Sequence, residues 1–295
     1  MKNVKAKTNE QIAMQVSANS IAVNLMLSIF KLIAGLMASS GAMISDAIHS
    51  ASDVFSTIIV IIGVKISGKA SDEDHPYGHD RFECVASIIL AILLGVTGVG
   101  IGLTGVQKLT AGHYDTLAVP GVLALAAAVI SIVVKEIMYW YTRNAAKKIN
   151  SGALMADAWH HRSDALSSVG SFVGIFGARM GFPMLDPLAS VVICLFVVKA
   201  AVDIFRDAIS KMTDKSCDQE TVNEMHDCIM NIQGVEGIDL LKTRSFGSKY
   251  YVDIEIKADG DKKLWEAHAI AEHVHHAIEQ QFPLVKHCMV HVNPA

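Results

Sequence analysis

The sequence is poor in charge for its length. Only 18% of the 295 residues are charged, whereas 52% are hydrophobic, and soluble globular proteins carry about 25% charged residues. The charged residues that are present concentrate after about Lys211, and the apolar residues concentrate before it. This division predicts a membrane domain over residues 1–211 and a soluble domain over residues 212–295.

The chain also lacks an excess of basic residues and lacks closely spaced pairs of cysteines. Its net charge is -4, so we expect no nucleic-acid partner. Its five cysteines are odd in number and form no C-x-x-C pair, which gives neither a disulfide framework nor zinc-finger spacing. A secretory signal peptide is not expected either, because the start is polar and the apolar stretch after it is long enough to span a membrane.

Six apolar stretches are each long enough for a membrane-spanning helix, which needs about 20 mostly apolar residues. The second and fifth stretches are less apolar than the others. The six stretches cover residues 12–38, 42–66, 82–109, 117–141, 153–178 and 185–209. The sequence thus predicts an α-helical membrane protein with six transmembrane helices.

Basic residues flank one side of the predicted spans far more than the other. Lys108 and Arg179 flank the side of the short connections. The other side holds the N-terminus, the loops over 65–81 and 143–150, and the C-terminal domain. Its basic residues are Lys2, Lys5, Lys7, Lys65, Lys69, Arg81, Arg143, Lys147 and Lys148. Because positive residues stay in the cytoplasm, we expect a cell-membrane protein with both termini cytoplasmic.

The C-terminal domain is predicted to be a small α/β domain of the order α-β-β-α-β. Apolar residues at helical spacing predict helices over 220–232 and 263–281. Strand-like patterns cover 238–241, 250–256 and 285–292, and the second alternates most clearly. This order predicts a compact sheet with helices on one face.

An internal repeat is the sharpest signal in the chain. Residues 41–53 (GAMISDAIHSASD) lie in the second predicted span, and residues 152–164 (GALMADAWHHRSD) lie in the fifth. Both fit G-A-x-x-x-D-A-x-H-x-x-S-D. Each copy puts two aspartates and a histidine inside a span, where ionisable groups cost about 2.5–3.5 kcal/mol each and normally mark a pathway or a site.

Helical spacing pairs the repeated residues. Residues four apart lie on one face of a helix, so His49 pairs with Asp53 and His160 pairs with Asp164. If the two spans pack together, two imidazoles and two carboxylates converge. Such a donor set fits tetrahedral zinc with ligands at about 2.0–2.2 Å. It predicts a binding site rather than a site that activates water.

Other interpretations of the intramembrane polar residues stay open. The repeated residues could instead make structural contacts between helices, although two copies at the same relative depth favour a site. Asp46 and Asp157 could be alternative ligands, proton relays or packing residues, and relay or packing is favoured. Lys31, Lys135 and Glu136 are expected near span ends, where they could snorkel or pair.

A second cluster lies in the predicted cytoplasmic loop. Asp72, His75 and His79 follow the spacing D-x-x-H-x-x-x-H, and Pro76 and Gly78 favour a tight turn. The three side chains could hold a metal ion with three ligands. The alternative is a solvated acidic loop.

A third cluster lies in the C-terminal domain, which carries about half of the thirteen histidines. Period-two alternation puts His287, Met289 and His291 on one strand face. Ordinary surface histidines are the alternative to a metal site. The residues in question are His268, His273, His275, His276, His287 and His291, with carboxylates at Asp239, Asp253 and Glu255.

These features together resemble the cation diffusion facilitator family. The resemblance rests on the six predicted spans, H-x-x-x-D in spans two and five, the D-x-x-H-P-Y-G-H loop and a ferredoxin-like C-terminal domain, and it covers the full length. It implies a homodimer that exports divalent metal ions from the cytoplasm by proton antiport. Histidine in both membrane pairs resembles the zinc-preferring branch, whereas members with aspartate or asparagine there tend to favour manganese or iron.

The resemblance also assigns residues to three sites. Some members carry histidine at the positions of Asp239 and Glu255, and aspartate at the position of Asn293. The implied ligands are His49, Asp53, His160 and Asp164 at the transport site, Asp72, His75 and His79 at a loop site near the dimer interface, and Asp239, Glu255, His268 and His291 at the cytoplasmic-domain site.

The predicted mechanism is alternating access with metal and protons competing for one site. Metal ions bind unprotonated ligands, and in an acidic medium protons compete chiefly at histidines, whose unperturbed pKa is about 6.5. Zinc is the expected substrate and also a regulatory ion, with iron(II), manganese, cobalt and cadmium as alternatives. A metal-dependent enzyme is disfavoured because no H-E-x-x-H motif is present. A membrane sensor is disfavoured because six spans exceed the needs of an anchor.

Overall fold

The structure is a computed structural model that describes residues 8–37, 41–111, 122–180 and 185–295. It divides into two units, of which the first ends at Ala208 and the second begins at Ile209. The elements are α1 (Asn9–Met37), α2 (Gly41–Ser67), α3 (Phe82–Ala111), α4 (Val122–Ile149), α5 (Gly152–Arg179), α6 (Leu185–Met212), α7 (Gln219–Met230), β1 (Gly237–Phe246), β2 (Lys249–Ala258), α8 (Leu264–Gln281) and β3 (Val285–Pro294).

Helices α1 to α6 coincide with the six apolar stretches, but their ends differ from the predicted ones. The loop expected over 143–150 was wrong, because α4 continues to Ile149. Lys147 and Lys148 lie in its last turn, where basic residues favour the helix C-terminus. Asn150, with φ 55°, then ends the helix in the left-handed conformation. Most of the predicted short connections fall on 38–40, 112–121 and 181–184, outside the described residues.

Within the first unit, α1 packs along α2 and α4 packs along α5, while α3 contacts both α2 and α5. Gly63 of α2 faces Ala86 of α3 so closely that a Cβ at position 63 would clash with it. Gly102 of α3 faces Cys194 in the same way. Small residues at such crossings let membrane helices approach closely.

Polar side chains of the first unit lie inside, and large apolar side chains lie on its outer faces. Asn24, Asp53, Lys135 and Asp157 are buried, whereas residues such as Leu195 are exposed. Among the described residues, Asn9–Ile33 and Phe82–Thr110 are long and apolar enough to cross a membrane. The count of six spans stays a prediction. Because ionisable groups inside a membrane domain normally mark a pathway or a site, the buried ones here indicate a functional site in the interior.

The second unit has the predicted order α-β-β-α-β, which is confirmed. The sheet order is β1-β2-β3, with β1 antiparallel to β2 and β2 parallel to β3. Gly247, with φ 64°, lies in the turn between the first two strands. Val252 and Ile254 of β2 pack with Met225 of α7 and Val274 of α8 in the core. The intervening residues of β2, which include Asp253 and Glu255, are only partly buried.

Candidate metal transport site

Two aspartates from different helices meet a lysine inside the first unit. Asp53 lies on α2, Asp164 on α5 and Lys135 on α4. Lys135 Nζ is 2.5 Å from Asp53 Oδ2 and 2.9 Å from Asp164 Oδ2. Lys135 is 1% exposed and Asp53 is 3% exposed. The ammonium group therefore joins two carboxylates in a region shielded from water.

His160 adds an imidazole to the two carboxylates. Its Nε2 lies 3.5 Å from Asp53 Oδ1, across the contact between α5 and α2. One ligand atom from each of Asp53, His160 and Asp164, here termed the membrane cluster, lies within 4.8 Å of the others. Oxygen and imidazole donors at this separation fit a first-row transition metal such as zinc.

His49 and Asp46 belong to the copy of the repeat in α2, but their side chains lie outside the described residues. The role of His49 as the fourth ligand therefore stays a prediction. The described structure brings together three of the four residues that the sequence analysis assigned to the transport site.

A second group of buried polar residues, Thr57, Asp157 and His161, lies close to the membrane cluster along α2 and α5. Thr57 Oγ1 of α2 donates to Asp157 Oδ1 of α5 over 3.2 Å. His161 Nε2 lies 3.5 Å from Asp157 Oδ2, and both residues are fully buried. These contacts support a packing role for Asp157 and leave the relay role open.

An aromatic cage around Arg162 holds α4 against α5 next to the membrane cluster. The guanidinium carbon lies 4.4 Å from the ring centre of Tyr139 and 5.6 Å from that of Trp159. Arg162 Nη2 is 3.8 Å from Glu136 Oε1, which also accepts from Trp140 Nε1 over 2.9 Å. Cation–π contacts of this kind stabilise partly buried arginines. Tyr139 lies one turn after Lys135 on α4, so these contacts join α4 to α5 close to Lys135.

The residues Asp72, His75 and His79, here termed the loop cluster, are gathered by contacts within a short segment. His75 Nδ1 and His79 Nε2 each lie 3.3 Å from an oxygen of Asp72. The His75 backbone N–H donates to Asp72 Oδ1 over 2.7 Å, and this bond holds the pKa of Asp72 below its ordinary value. One ligand atom from each residue lies within 4.8 Å of the others.

A carbonyl oxygen lies beside one imidazole in the loop cluster. His79 Nδ1 lies 3.1 Å from the carbonyl oxygen of Ala70. Because a carbonyl oxygen only accepts, this contact is a hydrogen bond when Nδ1 carries the hydrogen, and Nε2 is then the nitrogen that a metal ion beside Asp72 would use. This orientation is the one that metal-binding histidines use.

Two of the four residues assigned to the cytoplasmic-domain site, Asp239 and Glu255, share Asn293 as a hydrogen-bond donor. Asn293 Nδ2 donates to Asp239 Oδ2 over 3.0 Å and to Glu255 Oε2 over 3.3 Å. Lys257 Nζ lies 2.9 Å from Asp239 Oδ1. Hydrogen bonds from Lys257 and Asn293 hold the pKa of Asp239 below its ordinary value. An ammonium and an amide thus already satisfy these carboxylates.

Of the two histidines in that set, His291 pairs with Glu255 across β2 and β3, and His268 lies on α8. His268 and His291 line a cleft of about 510 Å³. His268 Nε2 is 3.6 Å from Glu272 Oε1 on its own helix. Within the second unit, all of which is described, ligand atoms do not gather in a group of three. A metal site on Asp239, Glu255, His268 and His291 stays a prediction.

Lys135 lies at a position that the sequence did not predict. It lies in the middle of the 28-residue α4 rather than near a span end. The signal was present, because a lysine within a long apolar run needs an acidic partner. Lys31 is also buried, and its Nζ donates to Ser50 Oγ over 2.9 Å.

Two family domains match the chain. The cation efflux transmembrane domain matches residues 17–213, and the cytoplasmic domain of cation efflux proteins matches residues 217–295. The two matches follow one another along the chain and include the residues of the membrane cluster and the loop cluster.

Similar proteins occur in bacteria and plants. Manganese efflux system protein MneP of Bacillus subtilis is 33% identical, and the alignment covers 98% of each chain. Metal tolerance protein C1 of Arabidopsis thaliana is 33% identical over 91% of this chain, which spans only 60% of that protein. Among solved structures, the MamM C-terminal domain is 23% identical, covering 26% of this chain and 100% of that domain, with a TM-score of 0.26.

Proposed function

Because this chain belongs to the cation diffusion facilitator family of membrane metal transporters, we propose that it exports a divalent metal ion from the cytoplasm, with zinc as the substrate. The convergence of Asp53, His160 and Asp164 carries the proposal, because it brings carboxylate and imidazole donors from two repeated motifs to one buried point. His49, one turn before Asp53, is proposed as the fourth ligand. Imidazole and carboxylate donors in a tetrahedral set suit zinc.

The proposed mechanism is proton-coupled alternating access. The membrane cluster binds metal while its ligands are unprotonated. On the outer, more acidic side, protons compete for the imidazoles and the metal leaves. Both termini are proposed to be cytoplasmic, with the transport domain over residues 1–211 and the cytoplasmic domain over residues 212–295.

The proposed transporter is a homodimer that metal binding at its cytoplasmic sites regulates. The loop cluster is proposed to bind an ion near the dimer interface. Because the four cytoplasmic-domain ligands do not meet within one chain, metal there is proposed to bridge two chains. Deletion of the residues after Met212 should then alter the dependence of transport on metal concentration more than it alters metal binding to the membrane cluster.

Manganese is the second candidate substrate. The similar protein MneP is described as a manganese efflux system protein. Carboxylate oxygens also suit manganese, and affinity order alone does not decide which ion a site selects. Zinc is favoured here because imidazole nitrogen takes part in the membrane cluster.

Transport of several metals into proteoliposomes tests the proposal. Zinc, manganese, iron(II) and cobalt would be supplied under an imposed pH gradient to wild type and to Asp53→Ala. Asp203→Ala is the matched control, since Asp203 is a 60%-exposed α6 residue that pairs with Lys199 over 3.6 Å. We expect zinc flux in wild type and Asp203→Ala, and none in Asp53→Ala.

Each other outcome rejects a defined part of the proposal. Flux of manganese without zinc would overturn the choice of metal. Zinc flux that persists unchanged with the pH gradient collapsed and the pH clamped would reject proton coupling. No flux of any metal, in protein that still binds metal, would favour a membrane sensor.

A further inference from the structure

The ammonium of Lys135 contacts one oxygen of each carboxylate in the membrane cluster and lies in the space between them. It lies 2.5 Å from Asp53 Oδ2 and 2.9 Å from Asp164 Oδ2. A zinc ion bound to both carboxylates would sit about 2.0–2.2 Å from one oxygen of each. An ammonium and a metal ion cannot share that space, and two cations so close together would repel strongly in a buried region.

The negative charges around Lys135 explain why a cation is needed between Asp53 and Asp164. Asp53 and Asp164 contribute two negative charges from different helices, and both are buried. Two unpaired carboxylates in such surroundings are strongly destabilising. The positive charge of Lys135 compensates one of the two negative charges, and its ammonium donates a hydrogen bond to each carboxylate.

We propose that Lys135 is a tethered competitor for the transported metal. This inference rests on the proposed transport function of the membrane cluster. The charged ammonium pairs with Asp53 and Asp164 between transport events, an incoming divalent ion displaces it, and its return helps to expel the ion. The lysine keeps its proton throughout, so the step is an exchange of cations rather than a titration.

Such competition suits a transporter better than a storage site. A transported ion must bind well enough to enter the site and weakly enough to leave it. Four undisturbed ligands would bind zinc tightly and release it slowly. A competing internal cation lowers the affinity without removing a ligand, and it disfavours ions too weakly bound to displace it.

The displaced ammonium has an acceptor on its own helix. Side chains of a helix lean towards its N-terminus and cover the preceding turn. Ser131 lies one turn before Lys135, is buried, and its Oγ has no hydrogen-bond partner among the described residues. A lysine leaving Asp53 and Asp164 can therefore donate to this hydroxyl without reaching water.

Zinc titration of the full-length protein in lipid nanodiscs tests the proposal. The part of the calorimetric isotherm that Asp53→Ala removes identifies binding at the membrane cluster. In Lys135→Met this part should show zinc affinity at least roughly tenfold tighter than in wild type, because a competitor has been removed. Lys31→Met, which removes another buried lysine, should leave it unchanged.

Transport by the same variants separates competition from a structural role. Lys135→Met should bind zinc more tightly yet show a lower maximal flux at saturating zinc, because release slows. Lys135→Arg keeps a cation and should stay close to wild type in both measurements. If Lys135→Met fails to fold, Lys135→Gln is subject to the same expectations, since it removes the charge but keeps a donor.

The contradicting outcomes are distinct from failure of the proposed function. Zinc affinity of Lys135→Met or Lys135→Gln equal to or weaker than wild type, with the Asp53-dependent binding present, would overturn the competition alone. Absence of any Asp53-dependent zinc binding in wild type would overturn the transport site, and the competition with it.

Discussion

The membrane cluster and the loop cluster use the same ligand types in opposite surroundings. The membrane cluster joins side chains from α2 and α5, and its Asp53 is 3% exposed. The loop cluster comes from one short segment, and its Asp72 side chain is 54% exposed. In the buried cluster the ammonium of Lys135 lies between the carboxylates. In the loop cluster a backbone N–H and two imidazoles contact the carboxylate.

This difference shows that burial determines whether a group of carboxylates needs a compensating positive charge. Buried carboxylates need a compensating charge at all times, because leaving them unpaired is costly. Exposed carboxylates are stabilised by water and by local hydrogen bonds. We therefore expect metal binding at the loop cluster to require no displaced cation, whereas we expect binding at the membrane cluster to require one.

The largest expected effect is on transport. Asp164→Ala removes a proposed ligand of the membrane cluster and should lower zinc flux by more than roughly a hundredfold, since losing even an outer partner of a metal ligand costs about 10–100-fold. Asp72→Ala removes the carboxylate of the loop cluster and should leave most of the flux. Proteoliposome assays on folded, dimeric protein measure both. Equal losses in the two variants would remove the distinction between the clusters.

The next largest expected effect is on thermal stability, measured with a chelator present to remove metal ions. Here too, variants in the two clusters should differ. Lys135→Met removes the ammonium that joins two buried carboxylates, and the loss of one partner of a buried ion pair costs about 3–5 kcal/mol, or roughly 10 °C in melting temperature. His75→Ala breaks an exposed contact and should leave the melting temperature unchanged. Added zinc should restore much of the loss in Lys135→Met. A melting temperature equal to wild type in Lys135→Met would show that the buried carboxylates need no cation.

The smallest expected effect is on the pKa of Asp72 in the loop cluster. The pKa of Asp72 is lowered in the folded chain by the His75 backbone N–H. Its ionised form therefore stabilises the turn at every pH above the ordinary value near 3.9, and this stabilisation is lost as pH falls through the lowered pKa. The carboxyl resonance of ¹³C-labelled Asp72, assigned by its absence in Asp72→Asn, should titrate below about pH 3.9. A midpoint at or above that value would contradict the hydrogen bond.

The loop cluster and the second unit were the most predictable parts of the molecule. The spacing of Asp72, His75 and His79 lies within one turn-forming segment, so local rules suffice. The order α-β-β-α-β also followed from local periodicity, because each element is short and flanked by turn residues. The ends were less predictable: β1 extends to Phe246, beyond the predicted 241.

The membrane cluster was only partly predictable. The repeat identified Asp53, His160 and Asp164 because helical spacing and matching motifs are visible in sequence. The apolar run around Lys135 indicated that it needs an acidic partner, but which partner it meets depends on how the helices pack. Whether Asp239, Glu255, His268 and His291 bring their ligand atoms together likewise depends on tertiary packing.

A structure of the zinc-loaded full-length protein would show directly whether zinc takes the place of the Lys135 ammonium. We expect an ion about 2.0–2.2 Å from carboxylate oxygens of Asp53 and Asp164 and from a nitrogen of His160. We also expect that the Lys135 ammonium no longer lies between the two carboxylates. Zinc bound only at the loop cluster, with Lys135 still joining Asp53 and Asp164 at saturating metal, would contradict it.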